Sequence, residues 1–152
     1  MAWSASGIFV TFIEDSFENT KAYDLIDDTF KVALYNDTTA PDKTVATAAR
    51  TYDGGVWVQA NEVDDGTEWD AGGEPLDTPA LTTASNVLKW DAVDTVSGGT
   101  SATLAAVFGC LVHDSSVSNE GICFNYFGGT QSVTDGTFTV VWNGSGIFTI
   151  TV

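Results

Sequence analysis

The chain contains a single histidine, and any catalysis by a nucleophile paired with histidine would have to use it. His113 follows Cys110 by three residues. In a β-strand that spacing places two side chains on opposite faces, so the pair cannot act together there. No nucleophile elbow, phosphate loop or paired-histidine metal motif is present in the sequence. The sequence therefore predicts no catalytic residue, no cofactor and no enzymatic activity.

Four carboxylates crowd one short stretch of the chain. Asp64, Asp65, Glu68 and Asp70 form the densest acidic cluster in the sequence. Oxygen-rich loops of this kind can hold Ca²⁺, although the regular spacing of an EF-hand loop is absent. A solvated acidic loop is the default interpretation, and calcium binding at these residues is the alternative.

Three tryptophans raise the question of a sugar-stacking platform. Trp90 shares a strand face with Leu88, as a core residue does, and Trp57 stands between two valines in a segment predicted to be buried. Trp69 lies among acidic residues and is predicted to be exposed, where an interface role is favoured over sugar binding. The interface candidates are Trp3, Phe9, Phe12, Phe17 and Trp69.

The two cysteines flank a polar loop. Strands folded back symmetrically about Val117 would bring Cys110 and Cys123 nearly opposite each other. A cross-strand disulfide is compatible with that placement, but a cytosolic origin favours two buried thiols.

Composition and charge exclude several classes of partner. The 152 residues suit one domain, and a hydrophobic fraction of 43% is ample for its core. Only five Lys and Arg oppose 21 Asp and Glu, which gives a net charge of -16 and excludes nucleic acid and anionic membrane surfaces as partners. No signal-peptide pattern and no apolar run of about 20 residues is visible, so the protein is expected to be made in a cytoplasm and to stay soluble.

Alternating apolar residues predict a series of short strands. These strands are predicted at residues 8–13, 30–35, 56–58, 87–93 and 102–113, and the second of them is predicted to be half-buried. A short helix is predicted at residues 16–23 with Ser16 as its N-cap, and residues 45–50 are predicted to make one helical turn at most.

The last two apolar segments are predicted to pair as a hairpin. Their core faces are Phe138, Val140 and Trp142, and Phe148, Ile150 and Val152. Both faces reach one core only if Val140 lies opposite Phe148, which leaves residues 143–145 as a three-residue loop with a bulge. Residues 135–136 are predicted to make a tight turn before this hairpin.

These features predict an all-β fold. The expected architecture is a single-domain antiparallel β-sandwich, or a small barrel, with at most one short helix near the N-terminus. Residues 1–29 are predicted to form an N-terminal arm that contains the first strand and has a docking role. Residues 30–152 are predicted to form the sandwich, and the two parts make one domain overall.

Several of these segments also carry a family resemblance. They are FKVALY at 30–35, NEV at 61–63, GG-x-x-L at 72–76, LKWDA at 88–92, FGGTQSVTDGTF at 127–138, and VWN through GIF at 141–148. In this order and spacing they resemble a family of small virion structural proteins of tailed bacteriophages, mostly of the head decoration, or capsid cement, type.

The resemblance implies a role on the virion. A protein of this kind is made in the host cytoplasm, binds the outer capsid surface and stabilises the mature shell by bridging major capsid subunits. The implied partners are the major capsid protein and other copies of the chain, with a trimer favoured because it matches three-fold positions between capsomers. No catalytic residue is implied. The alternative is a tail or fibre component, or a carbohydrate-binding module on the virion.

Overall fold

The computed structural model describes residues 2–152, in which short strands outnumber helices. The helical segments are α1 (Val10–Glu18), α2 (Thr47–Arg50) and a 3₁₀ turn (Gln59–Asn61). The strands are β1 (Gly7–Ile8), β2 (Phe30–Tyr35), β3 (Glu74–Pro75), β4 (Ala80–Ala84), β5 (Val87–Asp91), β6 (Thr95–Val96), β7 (Ala102–Asp114), β8 (Glu120–Gly136), β9 (Thr139–Val140) and β10 (Phe148–Thr151).

The strands form three antiparallel sheets. A five-stranded sheet has the order β1-β8-β7-β2-β3, a three-stranded sheet has the order β10-β5-β4, and β6 pairs with β9. None of these sheets closes on itself within the described residues, so the small barrel is not what forms. The all-β, antiparallel fold class predicted from the sequence is confirmed.

β2 lies in the interior of the five-stranded sheet. It pairs with β7 along its whole length, from Phe30 opposite Asp114 to Tyr35 opposite Gly109. Its bounds are those predicted, but five of its six residues are buried rather than alternate ones. The reason is that both faces are covered: the Phe30 ring lies 5.1 Å from that of Trp90, and the Tyr35 hydroxyl donates a hydrogen bond to the Trp57 carbonyl at 2.7 Å.

β7 and β8 form a long hairpin with a pronounced bulge. Val107 pairs with Gln131 and Gly109 with Tyr126, so one residue of β7 faces four residues of β8. Gly128 sits in this bulge at a φ of 79°, a conformation that glycine adopts without strain. Residues at the bulge form one wall of a surface cleft.

The N-terminal segment departs from the predicted strand and helix. Residues 8–13 are not a strand, because β1 stops at Ile8 and α1 begins at Val10. The predicted helix at 16–23 is also wrong, since Asn19 in the left-handed conformation ends α1. Ser16 is not an N-cap: its hydroxyl donates to the Phe12 carbonyl one turn earlier at 2.7 Å. A continuous apolar run does not distinguish a strand from a buried helix face, and here the helix forms.

Three of the N-terminal interface candidates lie in the core. Trp3 and Phe9 are fully buried, and Phe12 is 4% exposed. The Trp3 ring lies 5.9 Å from that of Trp57, and the Phe9 ring lies 5.3 Å from that of Phe124. These side chains are therefore not at the surface, because they fill space between the first residues and the five-stranded sheet.

The predicted closing hairpin does not form. Val140 pairs with Thr95 in β6, and Phe148 pairs with Trp90 in β5. Residues 143–146 make a turn, in which the Gly146 amide donates to the Asn143 carbonyl at 2.7 Å, but the flanking strands separate into different sheets. Residues 135–136 are likewise the end of β8 rather than a tight hairpin turn.

Of the remaining predictions, most agree with the structure and one does not. The strands at 87–93 and 102–113 correspond to β5 and β7, and the single turn at 45–50 corresponds to α2. Residues 56–58 form no strand, although Trp57 is fully buried as expected. Cys110 and Cys123 are buried free thiols, which confirms the favoured interpretation; Cys110 lies opposite Asn125 in the hairpin rather than opposite Cys123.

Candidate functional site

The acidic loop uses its central carboxylate to organise its own backbone. One Asp65 oxygen accepts hydrogen bonds from the amides of Glu68 at 2.8 Å and Trp69 at 2.9 Å, and the other accepts from the Thr103 amide of β7 at 3.0 Å. Burial acts to raise the pKa of Asp65, but these bonds outweigh it and lower the pKa to about 2. Asp65 therefore serves as a structural anion that ties the loop to β7.

The other three carboxylates of the cluster are not gathered around a common point. Asp64 and Asp70 are exposed, whereas Glu68 is half-buried against Gly99. Among residues 2–152, no three His, Cys, Asp or Glu side chains are grouped so that they could hold a metal ion. The arrangement of Asp65 is explained by backbone contacts alone.

Trp69 is buried, contrary to the prediction that it is exposed. The Asp65-centred turn folds it inward, where its indole nitrogen donates to the Val32 carbonyl at 3.2 Å. Its ring meets that of Phe138 edge-on at 5.7 Å, and the residue has no exposed surface. Trp69 therefore links the acidic loop to the core and offers no surface to a partner.

His113 is also a core residue. It is 1% exposed, its ring stacks on that of Tyr52 at 4.9 Å, and its Nε2 lies 2.9 Å from the Gly72 carbonyl, to which it donates. Burial lowers the pKa of His113 to about 4. Burial also raises the pKa of the Cys110 thiol, to about 12. The Cys110 thiol is therefore un-ionised near neutral pH, and neither side chain reaches the surface where a substrate would meet it.

A buried ion-pair network connects the N-terminal segment to the rest of the protein. Arg50, the only arginine of the chain, is fully buried, and its Nη2 lies 2.7 Å from an Asp15 oxygen and 3.2 Å from a Glu120 oxygen. Nη2 also donates to the Tyr23 hydroxyl at 2.7 Å, and Nη1 donates to the Gly121 carbonyl. The network therefore joins α1, the segment after it, α2 and the start of β8.

The sequence analysis did not identify this network. The signal that could have found it is a single arginine at the end of a predicted helical turn in a chain with a net charge of -16. A lone arginine that sits among carboxylates and is hydrogen-bonded to backbone is typical of a buried structural cation. Its role is to fix residues 10–23 in place.

The outward face of α1 is apolar. Val10, Ile13 and Phe17 recur at helical spacing; Val10 is 50% exposed and Phe17 85% exposed. Exposed Glu14 and Glu18 flank this stripe. Of the five interface candidates proposed from the sequence, Phe17 is the one that the structure places at the surface. Exposed apolar side chains that share one helix face are candidates for an interaction surface.

Two cavities share Phe148 of β10 as a wall. One, of about 110 Å³, lies between Phe17 of α1 and the side chains of Leu88 and Ile150 in the three-stranded sheet. The other, of about 200 Å³, lies between β1 and Ile147. We call the smaller cavity, together with the exposed stripe of α1, the α1 groove.

A third and larger cavity lies on another part of the surface. It has a volume of about 420 Å³ and opens between the β8 bulge, with Tyr126, Phe127 and Gln131, and the segment that contains Thr139 and Val141. Aromatic faces beside amide and hydroxyl groups suit a polar ring-shaped ligand. We call it the bulge cleft.

Within residues 2–152, no helix has the length and apolar character needed to cross a membrane. Comparison of the chain with protein-family models, with curated proteins and with solved structures gave no match.

Proposed function

We propose that this chain is a structural protein of a tailed-bacteriophage virion that decorates the outside of the head. In this role it binds the major capsid protein, bridges neighbouring capsid subunits and stabilises the mature shell, with other copies of itself as neighbours in a trimer. The single observation that carries the proposal is the exposed apolar stripe around Phe17 on an acidic domain whose strand and turn segments resemble that family.

The engagement of the reactive side chains supports a role without catalysis. His113, Cys110 and Cys123 are buried, and Asp65 is committed to backbone amides. The net charge of -16 suits a location on the capsid exterior, because an acidic protein does not compete for the packaged genome.

Decoration requires only modest contacts from each copy. A stable interface buries about 1,600 Å² in total, which one face of a small domain can supply. Many copies that bridge neighbouring subunits add their affinities through avidity. Binding to the assembled shell and not to dissociated subunits stabilises the shell by mass action.

The test is addition of purified protein to undecorated mature heads. We expect stoichiometric binding to the head surface by cryo-electron microscopy and a higher temperature of head disruption. The variant Phe17→Glu is expected to bind less, whereas Val93→Glu, which adds the same charge at another exposed apolar residue, is the matched control. Absence of binding to heads, with binding to tails, would overturn the proposal.

The alternative role is that of a tail or fibre component or a carbohydrate-binding module. The residues that favour it in the structure differ from those that favour it in the sequence. In the sequence it is favoured by an exposed Trp69 and by an acidic loop that could hold calcium, but Trp69 is buried and no three acidic side chains of residues 2–152 are grouped so that they could hold a metal ion. The bulge cleft, with Tyr126 and Phe127, is the feature that favours sugar binding. A glycan array with the unmodified protein and with Phe127→Ala decides this alternative: binding that the substitution abolishes would support it.

A further inference from the structure

β10 presents an open sheet edge. It pairs with β5 on one side, from Phe148 opposite Trp90 to Thr151 opposite Val87, and no described strand pairs with its other side. The Val152 amide donates to the Asn86 carbonyl at 3.0 Å, so in an antiparallel ladder the backbone groups of Phe148 also face β5. The amide and carbonyl of Thr149 and Thr151 therefore point away from β5 along the edge.

Apolar side-chain pockets lie alongside this edge. The α1 groove and the cavity behind Ile147 both border Phe148. The α1 groove, at about 110 Å³, has room for one aliphatic or aromatic side chain. A strand added to β10 would direct alternate side chains toward this face, as the alternation of any strand requires.

The surroundings of the groove are acidic. Exposed Glu14 and Glu18 lie on α1, and exposed Asp24 precedes Leu25, which lines the groove. The nearby cation Lys21 is engaged, with its Nζ 2.9 Å from a Glu120 oxygen.

The second cavity has a cation at its border. Exposed Lys43 lies beside Gly7 of β1, where a Cβ would be 3.4 Å from the Lys43 Cβ, and Asp42 precedes it. No cationic side chain lines either cavity within the described residues, and Lys89, which lies opposite Thr149 and beside a different cavity, is paired with Asp91 at 3.0 Å. A second copy of the chain would bring another net charge of -16 to this acidic groove, which opposes docking of the groove between copies and leaves the contacts of the proposed trimer to other surfaces.

We propose that β10 and the α1 groove bind an extended segment of a partner protein in which apolar side chains are flanked by lysine or arginine. The segment adds to the three-stranded sheet as a further antiparallel or parallel strand. Main-chain hydrogen bonds to Thr149 and Thr151 supply affinity, the groove selects an apolar side chain, and the carboxylates of α1 attract the flanking cations. The inference rests on the proposed function in that it gives the chemistry of the capsid segment that docks.

The direct test uses a synthetic peptide with the core Val-Leu-Val-Thr-Leu between pairs of lysines. Titration into the ¹⁵N-labelled protein is expected to shift the amide resonances of residues 147–152 and of α1. The same core between pairs of glutamates is expected to bind at least about tenfold more weakly, and added salt is expected to weaken the lysine peptide. Shifts confined to the bulge cleft, or no binding at about 1 mM peptide, would overturn the inference.

Two substitutions test the groove and the edge of β10 separately. Phe17→Glu puts a charge in the groove, and Thr149→Pro removes an outward amide from the edge, where proline is tolerated. Each is expected to weaken the lysine peptide about tenfold or more, whereas Val93→Glu, at an exposed apolar residue outside the groove and the bulge cleft, leaves its affinity unchanged. Equal affinity of Phe17→Glu and the unmodified protein would overturn the inference, whether or not Thr149→Pro folds.

Head binding separates this inference from the proposed function. Peptide binding at β10 without head binding would support the inference and reject the decoration role. Head binding that neither Phe17→Glu nor Thr149→Pro reduces would support the role and reject the docking segment. Concentration-dependent self-association that Phe17→Glu abolishes would show that a second copy occupies the groove, which also overturns the inference.

Discussion

Two edge strands of this domain, β1 of the five-stranded sheet and β10 of the three-stranded sheet, lie in different surroundings. In the five-stranded sheet, the edge strand β1 is continued by α1, whose first amide, that of Val10, donates to the Lys43 carbonyl at 2.9 Å, and the segment is fixed by Arg50. In the three-stranded sheet, the edge strand β10 has an uncovered side, and the following Val152 is 93% exposed. Covered edges protect a fold, whereas an open edge is a template for another strand.

The same contrast holds for charge. Around Arg50, the carboxylates of Asp15 and Glu120 are compensated by a buried cation. Around the α1 groove, Glu14 and Glu18 face solvent. The first region thus supplies stability and the second supplies surface for binding, so substitutions in them should affect different measurements.

The largest loss of stability is expected from Arg50→Ala, which should disrupt the region around β1 and α1. It leaves the carboxylates of Asp15 and Glu120 without their buried partner, and loss of one member of a buried network costs about 3–5 kcal/mol. Urea unfolding should show this loss, together with faster amide hydrogen exchange in α1. A loss below about 1 kcal/mol, as for a surface ion pair, would contradict it.

A matched control tests whether charge is the cause. Arg50→Met combined with Asp15→Asn and Glu120→Gln removes the charges together. Because replacement of a whole buried ion cluster by neutral groups is often close to neutral, this variant should recover much of the stability.

The second prediction concerns the pH dependence of stability that arises from His113 of β7. Since the pKa of buried His113 is about 4 and that of an unfolded histidine is about 6.5, the unfolded chain takes up the proton first as pH falls. The contribution of neutral His113 is present above pH 6.5 and is lost toward pH 4, by about 3 kcal/mol.

The comparison is with His113→Gln, unfolded in urea at a series of pH values. Other titrating groups, such as Glu62, whose pKa burial raises, are common to both proteins and largely cancel in the difference. Parallel stability curves between pH 6.5 and 4 would contradict the assignment.

Local sequence patterns predicted the inner strands of the five-stranded sheet well. β2 and β7 carry apolar residues at every second position, and their bounds were predicted to within one residue, although the burial of both faces of β2 was not predicted. The apolar run at 8–13 was misassigned, since Phe9, Phe12 and Ile13 suit a helix face as well as a strand. The predicted hairpin that pairs Val140 with Phe148 was wrong, because each of the two strands pairs with a strand distant in sequence. Local sequence patterns do not contain such long-range pairing.

The candidate site was predictable only in part. Phe17 was among the interface candidates, but so were Trp3 and Trp69, because the sequence does not distinguish an exposed aromatic side chain from one that is folded inward. Burial of Trp69 depends on Asp65 accepting amide hydrogen bonds from the turn and from Thr103, a contact between distant residues. The open edge of β10 could not be inferred, since it depends on the sheet order.

The third prediction tests that turn. Asp65→Asn should destabilise the protein by about 1–2 kcal/mol at neutral pH, a figure reduced for solvent screening of a half-buried group. Since the folded pKa is about 2 and the unfolded pKa about 3.9, this stabilisation is present above pH 4 and is lost as pH falls toward 2. Urea unfolding at pH 7 and pH 2.5 checks both parts, with exposed Asp64→Asn as the control.

The smallest effect on stability is expected at the α1 groove, beside the open edge of β10. Phe17 is 85% exposed, so Phe17→Glu should change the free energy of unfolding by no more than about 0.5 kcal/mol, as for an ordinary surface substitution. The control Val93→Glu, at a residue 52% exposed, should behave alike. Urea unfolding of both variants checks this, and a loss of more than about 2 kcal/mol for Phe17→Glu alone would show that α1 depends on this ring for its packing. A neutral result matters for the comparison, because any loss of docking in Phe17→Glu is then a property of the surface and not of the fold.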